Sequence, residues 1–195
     1  METSKTRLEK FLLAQYVSRV KYLVQNDVDK IFPNFDTNHA RIVLRTLIES
    51  AKYSILIFCD KISHEVYDDK RLLQALKEAC DKGIDVRIII QQENGDCEEL
   101  FNMLLPDKIR CIKEQKDRHF CVIDNKRYRL EVDTINRKAY VNANDEKLAQ
   151  ALNDAFERLW HRAEQCSLPS ISIDTSVKTM TVNFDNHNIC NRCNS

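Results

Sequence analysis

The segment between residues 54 and 92 constrains the fold more than any other part of the chain. SILIFC, residues 54–59, is an unbroken apolar run rich in β-branched residues, and IDVRIIIQQ, residues 84–92, is a second. Such runs suit strands covered on both faces, whereas a strand with one wet face would alternate. Between them, DDKRLLQALKEACDKG places Leu72, Leu73, Leu76 and Cys80 at helical spacing and ends at Gly83, where a left-handed C-cap is expected. Strand, helix, strand in this order predicts a right-handed βαβ unit with a parallel pair.

The same order returns once in CEELFNMLLPDKIRCIKE, which reads as helix, short loop and strand. Upstream, residues 5–24 carry Leu8, Phe11, Leu12, Tyr16, Val20 and Leu23 at spacings of three and four, predicting an amphipathic helix that buries one stripe. FPNFDTNHARIVLRTLIESAKYS adds a loop, a cap at Asp36 or Thr37, and a helix with Ile42, Leu44, Leu47 and Ile48 facing in. From residue 118 the texture changes. HFCVID, KRYRLEV and RKAYVNA are three strand-like runs separated by the turn-like DN and DTINR, an antiparallel meander. DEKLAQALNDAFERLWHRAEQ, residues 145–165, closes the domain as a helix with Leu148, Leu152, Ala155, Phe156, Leu159 and Trp160 on one side. The expected class is therefore α/β, with a domain over residues 1–165. A polar tail over 166–195 has an alternating stretch that suits a hairpin or edge strand.

Charge excludes some partners. Lys plus Arg and Asp plus Glu are both 30, so no global field draws the chain to polyanions and any basic binding surface is local. The N-terminus has no secretory h-region, and no segment approaches the ~20 apolar residues that cross a bilayer. This favours a cytoplasmic protein without a membrane partner. Of the eight cysteines, Cys59, Cys80, Cys111 and Cys121 sit in apolar-patterned segments and read as free core thiols. Cys190 and Cys193, with His187 nearby, supply at most three zinc ligands in the tail, so no metal or other cofactor is expected.

The order of elements, with LIESAKYSILIFCD entering the first strand, LLQALKEACDKGIDVRIII entering the second and AFERLWHRAE at the end, resembles one half of the phospholipase D superfamily over residues 5–165. That resemblance implies a mixed sheet flanked by helices and metal-independent phosphodiesterase or nuclease chemistry. Active members carry HxKxxxxD followed by GSxN. One histidine attacks phosphorus, a second protonates the leaving oxygen and the lysine holds a nonbridging oxygen. A chain with one motif needs a homodimer to bring two histidines together. In DRHFCVID, residues 117–124, placing Asp124 in the aspartate slot puts His119 in the lysine slot and Asp117 in the histidine slot. Placing His119 in the histidine slot instead puts Cys121 in the lysine slot and Lys126 in the aspartate slot. VNAN, residues 141–144, keeps only polar amides near the GSxN position, Asn142 among them.

A two-residue period puts His119, Cys121 and Ile123 on one face of their strand, and Arg127, Arg129 and Glu131 on one face of the next. If those faces adjoin, His119 is a nucleophile that Glu131 or Asp117 orients, while Arg129, with Arg118 and Asn142, takes the phosphate. The densest basic set, Lys113, Lys116, Arg118, Lys126, Arg127 and Arg129, surrounds the same strands. The bland alternatives are a core histidine bonded to backbone and an Arg–Glu pair that neutralises itself. Two functions follow. One is a divergent phospholipase D-like protein that binds or cleaves a phosphodiester, nucleic acid first among them, through His119. The other is a catalytically inactive scaffold or sensor of the same fold that binds a protein or small ligand, which an exposed apolar surface on the first helix would favour.

Overall fold

A computed structural model describes residues 4–60, 62, 64–67, 69–91, 98–104, 107–113, 118–136 and 138–166. In chain order the elements are α1 (Ser4–Gln25), β1 (Phe32–Asn34), α2 (Thr37–Glu49), β2 (Ser54–Cys59), α3 (His64–Tyr67), α4 (Lys70–Asp81), β3 (Asp85–Ile90), α5 (Glu98–Leu104), β4 (Ile109–Cys111), β5 (Phe120–Ile123), β6 (Arg127–Asp133), β7 (Lys138–Asn142), α6 (Glu146–Trp160) and β8 (Glu164–Gln165). All the strands join one mixed sheet in the order β1-β7-β6-β5-β2-β3-β4-β8. The pairs β2–β3 and β3–β4 are parallel, as the βαβ pattern requires. The meander β5-β6-β7 is antiparallel and docks on β2.

Side-chain alternation divides the core in two. Ile55, Ile57, Cys59, Ile88, Ile90, Cys121 and Ile123 face the layer built by α1, α2, α3, α4 and α5. Leu56, Phe58, Ile89, Phe120 and Val122 face α6 through Phe156, Leu159 and Trp160. This explains why SILIFC is apolar throughout: β2 is buried on both faces, and each side chain of this size fully removed from water contributes about 1.5–3 kcal/mol.

The helix boundaries follow local chemistry. Asp36 caps α2 by accepting the His39 N–H at 2.9 Å, which selects it over Thr37. Asp69 caps α4, and that helix ends in a Schellman motif. Gly83, with φ of +75°, donates to the Cys80 carbonyl, and Ile84 donates to that of Ala79. An L-residue at Gly83 would be strained by its φ alone.

Three expectations change. The final helix stops at Trp160 rather than running to 165, because Arg110 donates to the Trp160 carbonyl at 2.8 Å and its guanidinium lies 4.4 Å over the Trp160 ring. Residues 164–165 then pair with β4 as an edge strand. The three-residue β1, with Pro33 at the edge of the sheet, lies in what read as a loop. On α1, Val20, Leu23 and Val24 are buried, but Leu8, Phe11 and Leu12 are 57%, 59% and 57% exposed, so the apolar positions do not form one buried stripe. The expected hairpin in the tail lies outside the described residues. No described helix is long and apolar enough to cross a membrane, and no disulfide joins the five described cysteines.

The turn between β5 and β6 fixes the meander on the parallel strands. Asp124 and Asn125 take φ of +53° and +52°, the mirror-image hairpin geometry that Asp and Asn tolerate, closed by Lys126 N–H to the Ile123 carbonyl at 3.0 Å. The Asp124 carboxylate then accepts the backbone N–H groups of Lys52, Tyr53 and Ser54 at 2.8–3.1 Å, where β2 begins. Asp124→Ala removes the acceptor for three donors and leaves an unfavourable φ. It is expected to lower stability by about 2 kcal/mol in urea denaturation, whereas an unchanged midpoint would mean that the clamp contributes nothing.

Candidate functional site

His119 precedes β5 at the C-terminal end of β2, the edge where α/β sheets place ligands. The Glu131 N–H donates to the His119 carbonyl at 2.8 Å, extending the β5–β6 ladder by one residue beyond Phe120 and Leu130, and the next pair on the same face is Cys121 and Arg129. His119, Arg129 and Glu131 thus lie on one face. His119 Nδ1 is 2.9 Å from Glu131 Oε2, Arg129 Nη2 donates to Glu131 Oε1 at 2.9 Å, and Arg129 Nε donates to Asn34 Oδ1 at 2.9 Å. Asn34 Nδ2 in turn donates to the Asp36 carbonyl at the cap of α2. The relay therefore runs from the histidine to the start of a helix on the neighbouring layer.

An ionised carboxylate only accepts, so Nδ1 carries the proton and Nε2 is the remaining ring nitrogen. Phe58 meets the imidazole edge-on, with centroids 6.5 Å apart. The His119, Glu131 and Arg129 side chains are 11%, 5% and 6% exposed. They line a cavity of about 60 Å³ together with Cys59, Asp60 and Tyr67. That volume is small beside sites enclosing whole small molecules, which run to ~300–1,000 Å³.

Burial alone would raise the Glu131 carboxyl. The hydrogen bonds from His119 and Arg129, with the Arg129 charge, outweigh it and hold the group below its usual value. Burial pushes the Cys121 thiol up to about 12, opposed by Arg129, so it stays protonated at neutral pH and is no nucleophile. Burial likewise drives the Tyr67 hydroxyl well above its ordinary value, keeping it a neutral donor.

Other expected members of the site lie elsewhere. Arg118 points across the sheet and lines a groove beside α6, because it precedes His119 by one residue and the faces alternate. Asn142 sits opposite Tyr128, one residue out of phase with Arg129; its amide donates to Asp29 Oδ1 and its carbonyl oxygen accepts the Asn144 N–H. Neither joins the cluster. Asp117 and Lys116 lie outside the described residues, as do His187, Cys190 and Cys193. The local basic set is also divided. Lys126 and Arg127 both pair with Asp27, at 2.9 and 2.6 Å, and Lys113 lies 3.9 Å from Glu164. Among the described residues, no three His, Cys, Asp or Glu side chains converge to hold a metal ion. Asn34 was missed because it reaches the site from a three-residue strand 95 positions before Arg129. Its only signal was the Phe32/Asn34 alternation in FPNF.

A carboxyl with a lower pKa in the folded state stabilises the fold above its ordinary value, 4.5 for Glu131, and loses that contribution as pH falls through the folded value. The urea midpoint of the wild type should therefore fall more than that of Glu131→Gln between about pH 7 and pH 4. Parallel falls would show that the relay does not favour the ionised form.

The fold has solved counterparts. Nuc, a phospholipase D family member from Salmonella typhimurium, is 19% identical, with 71% of this chain and 98% of that chain covered and a TM-score of 0.55. NucT from Helicobacter pylori is 15% identical over 71% of this chain and 98% of its own, at 0.52. TrmBL2, an archaeal chromatin protein with a novel mode of DNA binding, is 15% identical over 83% of this chain and 64% of its own, at 0.53. These likenesses establish a phospholipase D-like mixed α/β fold. No curated protein matches the chain in sequence. A family model does match residues 36–168, from the cap of α2 to just past β8, and by that match the chain belongs to the family described as a domain of unknown function, DUF7931.

Proposed function

We propose that this phospholipase D-like chain binds the phosphate of a phosphodiester, nucleic acid first among them, at His119 Nε2 and does not cleave it. The observation that carries this is the His119–Glu131–Arg129–Asn34 relay. It orients an imidazole toward a small cavity, yet engages the one buried guanidinium that could replace the missing lysine. A glutamate on Nδ1 turns Nε2 toward a ligand, where a protonated Nε2 donates to a phosphate oxygen. Phosphoryl transfer asks for more: a cation on the nonbridging oxygens and an acid for the leaving group. Arg129 serves Glu131 and Asn34 instead.

The DNA-binding TrmBL2, which shares the fold, supports nucleic acid as the ligand class. Binding at one phosphate with a divided basic surface is of modest affinity and falls with salt. A second reading, a scaffold that docks a protein, is favoured by the exposed Leu8, Phe11 and Leu12 on α1. The test is fluorescence anisotropy with a labelled single-stranded oligonucleotide in EDTA, with the same samples run on a denaturing gel. The expected result is saturable binding, about tenfold weaker in His119→Ala as for loss of one charge-assisted hydrogen bond, and intact oligonucleotide. Cleavage by the wild type that His119→Ala abolishes would make the protein an enzyme. Absence of binding would leave the scaffold.

A further inference from the structure

On the sheet face opposite His119, α6 does not fill the space above β5 and β6. A groove of about 440 Å³ remains there, within the size range of small-molecule sites. Its floor is apolar. Leu130 projects from β6, Leu148 and Leu152 lie one turn apart on α6, and Phe120 lies beneath. Leu130, Leu148 and Leu152 are only partly buried, although the core around them is closed. Beyond Leu130, its cross-strand partner Tyr140 is half exposed, so the apolar surface continues past the groove.

The polar lining is of one sign. Arg118, just before β5, and Arg158, in the last turn of α6, line the groove, and no carboxylate is among its described lining residues. Elsewhere against α6, Arg87 makes a two-pronged pair with Glu157 and stacks on the Phe156 and Trp160 rings. A leucine floor with the guanidiniums of Arg118 and Arg158 calls for a ligand that is apolar along its length and anionic at its head. Leucines offer no flat aromatic face for a nucleobase, and both phenylalanines of the groove are buried at 1% and 7% exposure.

We propose that this groove is a binding site for a free anionic amphiphile with a single alkyl chain, the chain lying on Leu130, Leu148 and Leu152 and the carboxylate held by Arg118 and Arg158. The groove lies across the sheet from the His119 side chain, although Phe58 and Phe120 contribute to the lining of both cavities. The arginines supply bidentate recognition of a carboxylate head, and the partly buried leucines gain the contacts they lack.

The test is calorimetric titration of the full chain with dodecanoate below its micelle-forming concentration, with hexanoate and a neutral alkyl glucoside as comparisons. Dodecanoate should bind saturably at one site, and both comparison ligands should bind at least about tenfold more weakly. Leu152→Gln and the double variant Arg118→Ala/Arg158→Ala should each raise the Kd by about tenfold or more, with circular dichroism and melting temperature as in the wild type. His119→Ala should bind dodecanoate as the wild type does, which separates this site from phosphodiester binding. No saturable binding of dodecanoate, equal binding of the neutral glucoside, or wild-type affinity in the folded variants would overturn the assignment.

Discussion

The carboxylate of Asp124 sets the geometry on which both sites depend. It sits at the tip of the β5–β6 hairpin and holds three consecutive N–H groups at the start of β2, joining the antiparallel half of the sheet to the parallel half. That clamp fixes the β2–β5 register, Ile55 against Ile123 through Phe58 against Phe120. A slip of one residue would exchange every side chain between the two cores, carrying His119 to the α6 side and Arg118 to the other. The tight two-residue turn fixes the β5–β6 register in the same way, so Arg129 and Glu131 arrive beside His119 rather than beyond it.

Charge is then sorted by face. On the helical-layer side, Glu131 sits between Arg129 and His119, and the relay ends on backbone at the α2 cap. Removing Glu131 would take the carboxylate from both His119 and Arg129 in a buried setting, so this residue is the one that holds the imidazole in place. On the α6 side, Arg118 and Arg158 line the groove beside its leucines. The two proposed sites can share one strand because adjacent residues, Arg118 and His119, lie on opposite faces of the sheet.

The parallel core was legible because its signals are local. Unbroken apolar runs, a helix at 3.6-residue spacing, Asp36 and Gly83 as stops, and the Asp-Asn turn each follow from a few neighbouring residues. The juxtaposition of His119, Arg129 and Glu131 was legible too, as strand period plus a two-residue turn fixes it. What escaped depends on tertiary contact. Asn34 joins the relay from a strand too short to carry a pattern. Trp160 ends α6 because Arg110, from a different strand, takes its carbonyl. Leu8, Phe11 and Leu12 keep helical spacing yet stay exposed, since periodicity shows that a helix has an apolar face and not what covers it. Asn142 and Arg118 were grouped with the site by proximity in sequence, and alternation sends both away.

In the proposed function, the relay holds His119 at the C-terminal edge of β2 as a phosphate ligand. The account stands on the protonation pattern of one ring: Nδ1 committed to Glu131 and Nε2 turned to the ligand. Long-range proton–nitrogen correlation NMR on ring-labelled histidine measures this directly. A protected Nδ1 proton on His119 and an Nε2 resonance that moves when a short single-stranded oligonucleotide is added are the predicted result. An unprotonated Nδ1, or an Nε2 resonance unmoved at saturating oligonucleotide, would contradict the account.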